Sequence, residues 1–521
     1  MLVLLAWAGS VLLDYHLGRS CLNADMASEM VLANQLNKEG VFLSGNWFYS
    51  TEIRILGQAI LFKLTLLLFP NNWLLARTAA QAVLLMLTAL SYIYMASVFV
   101  GIRKSVLFST ILMCPFGFWY MYHGTFDGFY LIWIAAYTFC AGLVFRVSLR
   151  QGRGKVQSLR WLLLIVVSFV IGLQSVRGFM NLQLPLLAAS LIAVYTGTKK
   201  GMHFCFSCNQ TEGKFLQASL ASNIAAFIGY GINVGILSRI YSYADQNDKV
   251  WQEFSFEKML YVLEQFLQIF GYPYDHTGER KISLFSMNGL LGCFGLLFIF
   301  LVVIAFIRSV SNYSGMSSQE RILVMTGIMA VVIPALIFTF FTEQTNGSYF
   351  LPGVGLVLVV LQLAVDRYPY RFIGGEHLLT GAILATVAAC SVNTVSLYMQ
   401  EPPTAYEQMT VIADLLVKED YTNGVATFWY GNTLTELSSG KIEIWEIEDY
   451  STMEVSQWLQ SKDHVENLPE GKTALIVENK YSDYCDELMQ CDGATVLYED
   501  SDLTVIGIED GQECFSLVDA D

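Results

Sequence analysis

The sequence predicts an α-helical membrane body of about eleven spans over residues 1–400, followed by a small soluble α/β domain over 401–521. Three observations carry that prediction. Of 521 residues 54% are hydrophobic and only 14% charged, with a mean hydropathy of +0.48, against about 25% charged in an ordinary soluble domain. The apolar residues fall in repeated runs, several of them near the ~20 residues a helix needs to cross a ~30 Å hydrocarbon layer. The charge also divides along the chain: 27 acidic and 5 basic residues from Glu401 onward, but 18 acidic and 25 basic before it. A soluble enzyme, a nucleic-acid binder and a disordered chain are excluded, and the acidic tail opposes docking to nucleic acid or anionic lipid.

The candidate spans are 1–17, 73–100, 105–122, 126–147, 159–173, 178–196, 215–238, 285–307, 321–342, 349–366 and 377–398. Lys/Arg bias orients them. With the N-terminus inside, Arg103 and Lys104, then Arg146 to Arg160, Lys199 to Lys214, Arg308 to Arg321, and Arg367 to Arg371 all fall in inner connections. Those five connections hold 14 basic and 4 acidic residues, and the other side of the body holds 11 and 14. An odd number of spans then puts the tail outside. Ile55–Phe69 is apolar but short and interrupted by Lys63, so it reads as an interfacial or re-entrant helix within the first external loop, residues 18–72. No basic residue precedes Arg19, so a cleaved signal peptide is not expected. A naturally short first span and a start a few residues late both stay open.

The tail alternates helical and strand patterns. A helix is expected at 404–419, strands at Val425–Tyr430 and Lys441–Ile447, a short helix near 453–461 and a strand at Ala474–Glu478. A helix at 482–490 and strands at 494–498 and 503–508 complete it. Cys485 and Cys491 could pair if the domain is exported. Cys114, Cys140, Cys293 and Cys390 lie in apolar runs and read as small hydrophobes.

The first external loop holds the richest chemistry: Asn23-Ala-Asp25-Met-Ala-Ser-Glu29, then Gly45-Asn-Trp-Phe-Tyr-Ser-Thr-Glu52-Ile-Arg54. On a helix Asp25 and Glu29 share a face. A carboxylate at a partly dehydrated membrane surface gains proton affinity, which suits a general base acting on a hydroxyl. The alternative is a helix start, with Asp25 as N-cap and Glu29 favouring the dipole.

An apolar first helix, an acidic motif opening a long external loop, an amphipathic helix in that loop and an external α/β tail resemble the GT-C superfamily. These are integral-membrane glycosyltransferases that use polyprenyl-phosphate sugars, protein mannosyltransferases and aminoarabinose transferases among them. The stretches Asn23 to Arg77 and Gly424 to Ile442 are similar in sequence to uncharacterised bacterial members. The resemblance implies that Asp25 is the catalytic acid of the loop. Members of the mannosyltransferase type carry two adjacent acids, whereas here Met26 follows Asp25 and the next acid is Glu29. That departure leaves both Glu29 and a divalent metal ion open.

Beyond the loop, Arg177 follows the fifth span at the external surface, where a guanidinium can clamp a lipid phosphate bidentately or simply snorkel. Arg54 and Arg77 are weaker candidates of the same kind. His123 and Asp127 in the turn after the third span, and Glu343 at the end of the ninth, are candidate substrate ligands or ordinary turn residues. Asp14 and His16 read as interfacial. The run His203-Phe-Cys205-Phe-Ser-Cys208 supplies at most three zinc ligands and no second pair. Trp251, Tyr261, Tyr272, Tyr274, Asp275 and His276 in the external loop 239–284 suit sugar stacking or an aromatic belt.

The resulting expectation is a multi-pass transferase of a bacterial plasma membrane. It moves a sugar from a polyprenyl-phosphate donor to a cell-envelope glycan, lipid or protein on the external face. Asp25 would deprotonate the acceptor hydroxyl for inverting attack, and Arg177 with Arg54 would hold the leaving phosphate, a task basic residues can perform with or without a divalent metal ion. A transporter or lipid flippase is the rival; it calls for mid-membrane charges and broken helices in matching halves. A catalytically dead assembly partner, with Asp25 only a helix cap, is the third reading.

Overall fold

The computed structural model describes residues 1–149, 154–198, 211–243, 251–273, 283, 285–342, 345–367, 375–400 and 406–518. The chain forms two compact units. One comprises Met1–Leu13, Gln81–Leu237 and Gln246–Glu401; the other comprises Asp14–Ala80, Ser238–Asp245 and Pro402–Asp521.

The first unit is helical. Among the described residues of the chain, nine helices are long and apolar enough to cross a membrane, and ten if one bent pair counts as a span. The protein is a multi-pass membrane protein. The helix Leu2–Leu17 matches the expected first span but has only 16 residues. The expected span 105–122 departs most from expectation. Its halves, Ile102–Met113 and Phe118–Phe126, meet at 91°. Pro115 withholds an amide at the break, and at Gly117 a Cβ would lie 2.0 Å from the Ile269 carbonyl oxygen, so another backbone occupies the space of a straight helix.

Small residues bring the helices together where no hydrophobic drive exists between them in lipid. Lys155–Gln174 packs on Thr211–Gly235. A Cβ on Gly172 would sit 1.9 Å from the Ala226 carbonyl oxygen, and one on Gly229 2.2 Å from that of Phe169. Between them the Ser168 and Ser222 hydroxyls are 2.7 Å apart, and Ser222 donates to Gln183 Oε1 at 2.9 Å.

Among the described residues the second unit contains seven strands: β1 (Phe48–Tyr49), β2 (Ser242–Tyr243), β3 (Asn423–Thr427), β4 (Glu443–Ile447), β5 (Thr473–Glu478), β6 (Thr495–Glu499) and β7 (Leu503–Ile508). β1 and β2 form a short parallel pair. The other five make the tail sheet in the order β4-β3-β5-β7-β6, with β4, β3 and β5 parallel and β7 antiparallel to both neighbours. One face packs Ala426, Ile444 and Ile476 against Met409, Ile412 and Leu416 of the helix Tyr406–Lys418. The other packs Val425, Leu475 and Ile506 against Cys514 and Phe515.

Several tail expectations need correction. β3 ends at Thr427 and the chain turns into the helix Phe428–Leu437, so Phe428 to Tyr430 are helical rather than extended. The aromatic run favours a strand by propensity alone. No helix forms at 453–461; Val455 instead bridges Ile447, and a helical turn follows at Asp463–Glu466. Cys485 and Cys491 are both free thiols.

The loop 18–72 folds as part of this second unit, so the division in space does not follow the division at residue 400. Its helix Ala24–Glu39 packs on Phe428–Leu437. Phe48 N–H donates to the Gln460 carbonyl at 2.9 Å, Lys462 N–H to that of Asn46 at 3.2 Å, and Trp47 bridges Ser461 between them. Ile55–Phe69 yields the short helix Ala59–Leu68. Lys63 is buried there and its ammonium donates to the carbonyls of Leu36 and Val41, at 2.6 and 2.7 Å, at the end of the loop helix.

Candidate functional site

In the second unit the loop helix begins at Asn23, whose side chain accepts from Met26 N–H at 3.0 Å. Asn23, not Asp25, is therefore the N-cap. Asp25 occupies the first helical turn, and it is exposed. Glu29, one turn on, is 2% exposed. Its carboxylate lies 3.1 Å from Arg54 Nε and accepts from Ala59 N–H at 3.3 Å, while Arg54 Nη2 donates to Ser50 Oγ at 2.9 Å. The two acids of the motif thus differ in environment: one open, the other internal and neutralised by Arg54.

Arg77 is also internal. It grips Glu436 with two bonds, Nε to Oε1 at 2.7 Å and Nη2 to Oε2 at 2.6 Å, donates to the Met26 carbonyl at 2.9 Å and lies over the Phe62 ring at 4.8 Å. Asp14, expected at an interface, is 2% exposed. Glu446, which the sequence did not single out, is 1% exposed and accepts from Asn432 N–H at 2.8 Å. Burial pushes its carboxyl well above the usual carboxylate range, and the charge of Asp25 adds to the shift.

The first unit holds a second cluster. Met121–Phe126 is a wide helical turn closed by Asp127 N–H to the Tyr122 carbonyl at 2.9 Å; such π-turns are frequent at functional sites. It sets His123 Nδ1 3.2 Å from Asp127 Oδ2. The Trp119 ring stacks parallel to His123 at 5.8 Å, and Trp119 Nε1 donates to Gln268 Oε1 at 2.8 Å. His123 meets Tyr130 edge-on at 5.7 Å. The Tyr130 hydroxyl in turn accepts from Arg177 Nη1 at 3.0 Å and bonds Ser348 Oγ at 3.3 Å.

The half-buried Arg177 guanidinium lies over both the Trp133 and Tyr349 rings, at 5.3 and 4.8 Å. Three separated stretches of sequence therefore bring His123, Asp127 and Arg177 into one polar-aromatic cluster. Trp133, Tyr130 and Tyr349 belong to it and were not anticipated. The only signal for the first two was their spacing three residues apart on one helix. A fixed guanidinium with stacked rings is suited to a phosphate beside a flat or apolar group.

Glu343, Tyr274, Asp275, His276 and the His203–Cys208 run lie outside the described residues. Trp251 is largely exposed and stacks on Phe340 at 6.0 Å, and Tyr261 donates to the Thr345 carbonyl at 3.4 Å. Among the described residues no group of three or more His, Cys, Asp or Glu could hold a metal ion.

No protein-family model matches the chain, and no curated protein matches it in sequence. Solved structures do match. The aminoarabinose transferase ArnT of Cupriavidus metallidurans in its apo state superposes with a TM-score of 0.59 at 12% identity, over 99% of this chain and 98% of that one. ArnT bound to undecaprenyl phosphate gives 0.58 at 11% identity, over 97% of each. The fold is the GT-C fold. The oligosaccharyltransferase of Archaeoglobus fulgidus in complex with Zn and sulfate also matches, with a TM-score of 0.47 at 13% identity over 92% of this chain and 69% of that one. The likeness to ArnT runs over nearly the full length of both chains, at an identity where individual residues do not carry over by alignment.

Proposed function

We propose that the chain is a GT-C-type membrane glycosyltransferase that uses a polyprenyl-phosphate sugar. It would act on the external face of a bacterial plasma membrane, on a cell-envelope glycan, lipid or protein acceptor. The carrying observation is the Arg177 cluster, a guanidinium oriented by Tyr130 and two ring faces in a chain whose whole length matches ArnT, a protein crystallised with undecaprenyl phosphate. In this reading Arg177 binds the phosphate of the donor and stabilises the charge that grows on it as the sugar leaves. His123, Asp127 and Glu343 contribute polar contacts to substrate.

Asp25 is the general base. Its exposed carboxylate takes the proton of the acceptor hydroxyl, whose oxygen bonds to the anomeric carbon. The bond to the phosphate oxygen breaks and its electrons leave with the polyprenyl phosphate. Glu29 and Arg54, already paired, fix the loop backbone one turn from Asp25 and position it rather than meeting substrate. The reaction as written needs no divalent ion. One could add charge stabilisation at the phosphate, and chelation during the assay tests for it.

The test is transfer in proteoliposomes from a panel of radiolabelled polyprenyl-phosphate sugars to crude envelope acceptor. Wild type is expected to transfer label, and Asp25→Asn to lose at least about a hundredfold while folding is retained. Full activity in Asp25→Asn would overturn the assignment of the base. The broken span at Pro115 favours a flippase, since discontinuous helices mark transport sites. Lipid flipping by the same vesicles, without transfer from any donor, would establish that reading instead.

A further inference from the structure

Inside the second unit, between the loop helix Ala24–Glu39 and the tail sheet, lies a partly enclosed cavity of about 40 Å³. Its walls carry polar groups: Asn34 and Lys38 from one face of the loop helix, Trp47 from the segment after it, and Asn432, Glu443 and His464 from the tail. Trp47 is 1% exposed, and its indole Nε1–H is buried without a hydrogen-bond partner. An unmet buried donor carries an uncompensated desolvation penalty, so a group that accepts from it gains affinity directly.

His464 is fixed in the wall by three contacts. His464 Nε2 lies 3.2 Å from Glu443 Oε1, its Nδ1 lies 2.9 Å from Gln460 Oε1, and the Trp445 ring stacks on it at 4.5 Å. The hydrogen bond from His464, with a contribution from Lys38, holds the Glu443 carboxyl below its ordinary value. A carboxylate therefore stands at the wall near neutral pH, in a tail that is itself strongly acidic. Both features disfavour an anion. A volume of about 40 Å³ admits about two to three water-sized groups, which matches two adjacent hydroxyls and is too small for a whole sugar ring. Amides that both donate and accept, a carboxylate that accepts and an indole that donates match alternating hydroxyls.

We propose that this cavity is an acceptor subsite that takes a vicinal diol at the edge of a neutral saccharide, with Trp47 Nε1–H donating to one hydroxyl oxygen and Asn34 bonding the next. The proposal deepens the transferase reading by naming a glycan as the acceptor class and rests on that reading for the word acceptor alone. Water filling the same space as plain packing is the alternative, and it predicts no saccharide binding.

The experiment is saturation-transfer NMR on the full chain in nanodiscs, with methyl glucoside, galactoside and mannoside as probes, methyl glucuronoside as the anionic control, and no donor lipid. Saturation is expected at ring protons beside two adjacent hydroxyls of at least one neutral glycoside. Asn34→Ala, on a partly exposed helix face, should weaken it about tenfold, as should Trp47→Phe at an unchanged unfolding midpoint. No transfer to any neutral glycoside, preference for the glucuronoside, or equal affinity in Asn34→Ala would each overturn the subsite. Should Trp47→Phe unfold, Asn34→Ala alone decides. Lost glycoside binding alongside Asp25-dependent transfer would sink the subsite and leave the transferase standing; glycoside binding with no transfer from any donor would do the reverse.

Discussion

Removing Arg77 tests how the second unit is held together. Its guanidinium is 5% exposed and the Glu436 carboxylate 6%, and they meet through two bonds of 2.7 and 2.6 Å. Arg77→Leu leaves Glu436 buried without its cation and the Met26 carbonyl without a donor. Breaking one side of a buried pair costs about 3–5 kcal/mol, because the surviving charge keeps its desolvation penalty and loses its compensation. At about 2–4 °C per kcal/mol for a body of 150–250 residues, the unit should unfold about 6–20 °C earlier. Tryptophan fluorescence during heating in nanodiscs reads this directly, since Trp47 and Trp73 are buried in the same unit. Arg77→Leu combined with Glu436→Leu should recover much of the loss, because two apolar side chains replace a pair whose net worth is small. A shift under about 2 °C in the single variant, or a double variant no better than Arg77→Leu, would refute this account. The Met26 carbonyl belongs to the residue that follows Asp25, so transfer activity should fall with the same variant below its unfolding midpoint.

Three further outcomes are expected. Arg177→Lys keeps the charge but loses the planar contacts with Trp133 and Tyr349, so kcat/KM should fall about 10–100-fold with little change in stability, measured in the proteoliposome assay. Glu446 is raised by burial, so it binds its proton more tightly folded than unfolded. The stability this contributes is complete below about pH 4.5 and drains away, at up to about 1.4 kcal/mol per pH unit, as pH rises toward the folded value. Glu446→Gln should therefore flatten unfolding midpoint against pH above about pH 5; an unchanged slope would show Glu446 ionised in the native protein. Gly172→Leu drives a side chain into the Ala226 backbone and should separate Lys155–Gln174 from Thr211–Gly235, which size-exclusion profiles and yield of folded protein report.

The body was legible in the sequence because a span is a local property: twenty apolar residues announce themselves without reference to any partner. The strands of the tail were legible for a similar reason, alternation and β-branching at Val425, Ile444 and Ile476. The signal failed where a distant contact decides the local structure. Phe428 to Tyr430 are helical because the helix they begin packs on the loop helix, some four hundred residues earlier in the chain. The break at Pro115 to Gly117 was written in two residues, but its angle comes from the backbone at Ile269. At the candidate site, sequence reading selected single charged residues and could not pair them. Glu29 with Arg54, Arg77 with Glu436, and Arg177 with Tyr130 are separated by 25, 359 and 47 positions, and no periodicity connects them.

That pairing bears on what the tail is for. A tail that merely decorated a membrane body would leave the loop 18–72 to fold on its own. The loop would then need its own core to offset the entropy of ordering residues 18–72. Here its core draws on Trp47, Tyr49, Phe62 and Trp73, while its remaining face is closed by the tail: Glu436 holds Arg77, the 460–462 segment pairs with Asn46 and Phe48, and the helix Phe428–Leu437 lies against Ala24–Glu39. Asp25 inherits its place from that packing. If it is the base of the reaction, the tail is part of the catalytic scaffold through Glu436, and Glu436→Leu should lower the rate through the position of Asp25 rather than through any contact with substrate. Recovery of activity in the double variant Arg77→Leu with Glu436→Leu, in parallel with its recovered stability, is the signature of that scaffold; stability regained without activity would place Arg77 or Glu436 in the chemistry itself.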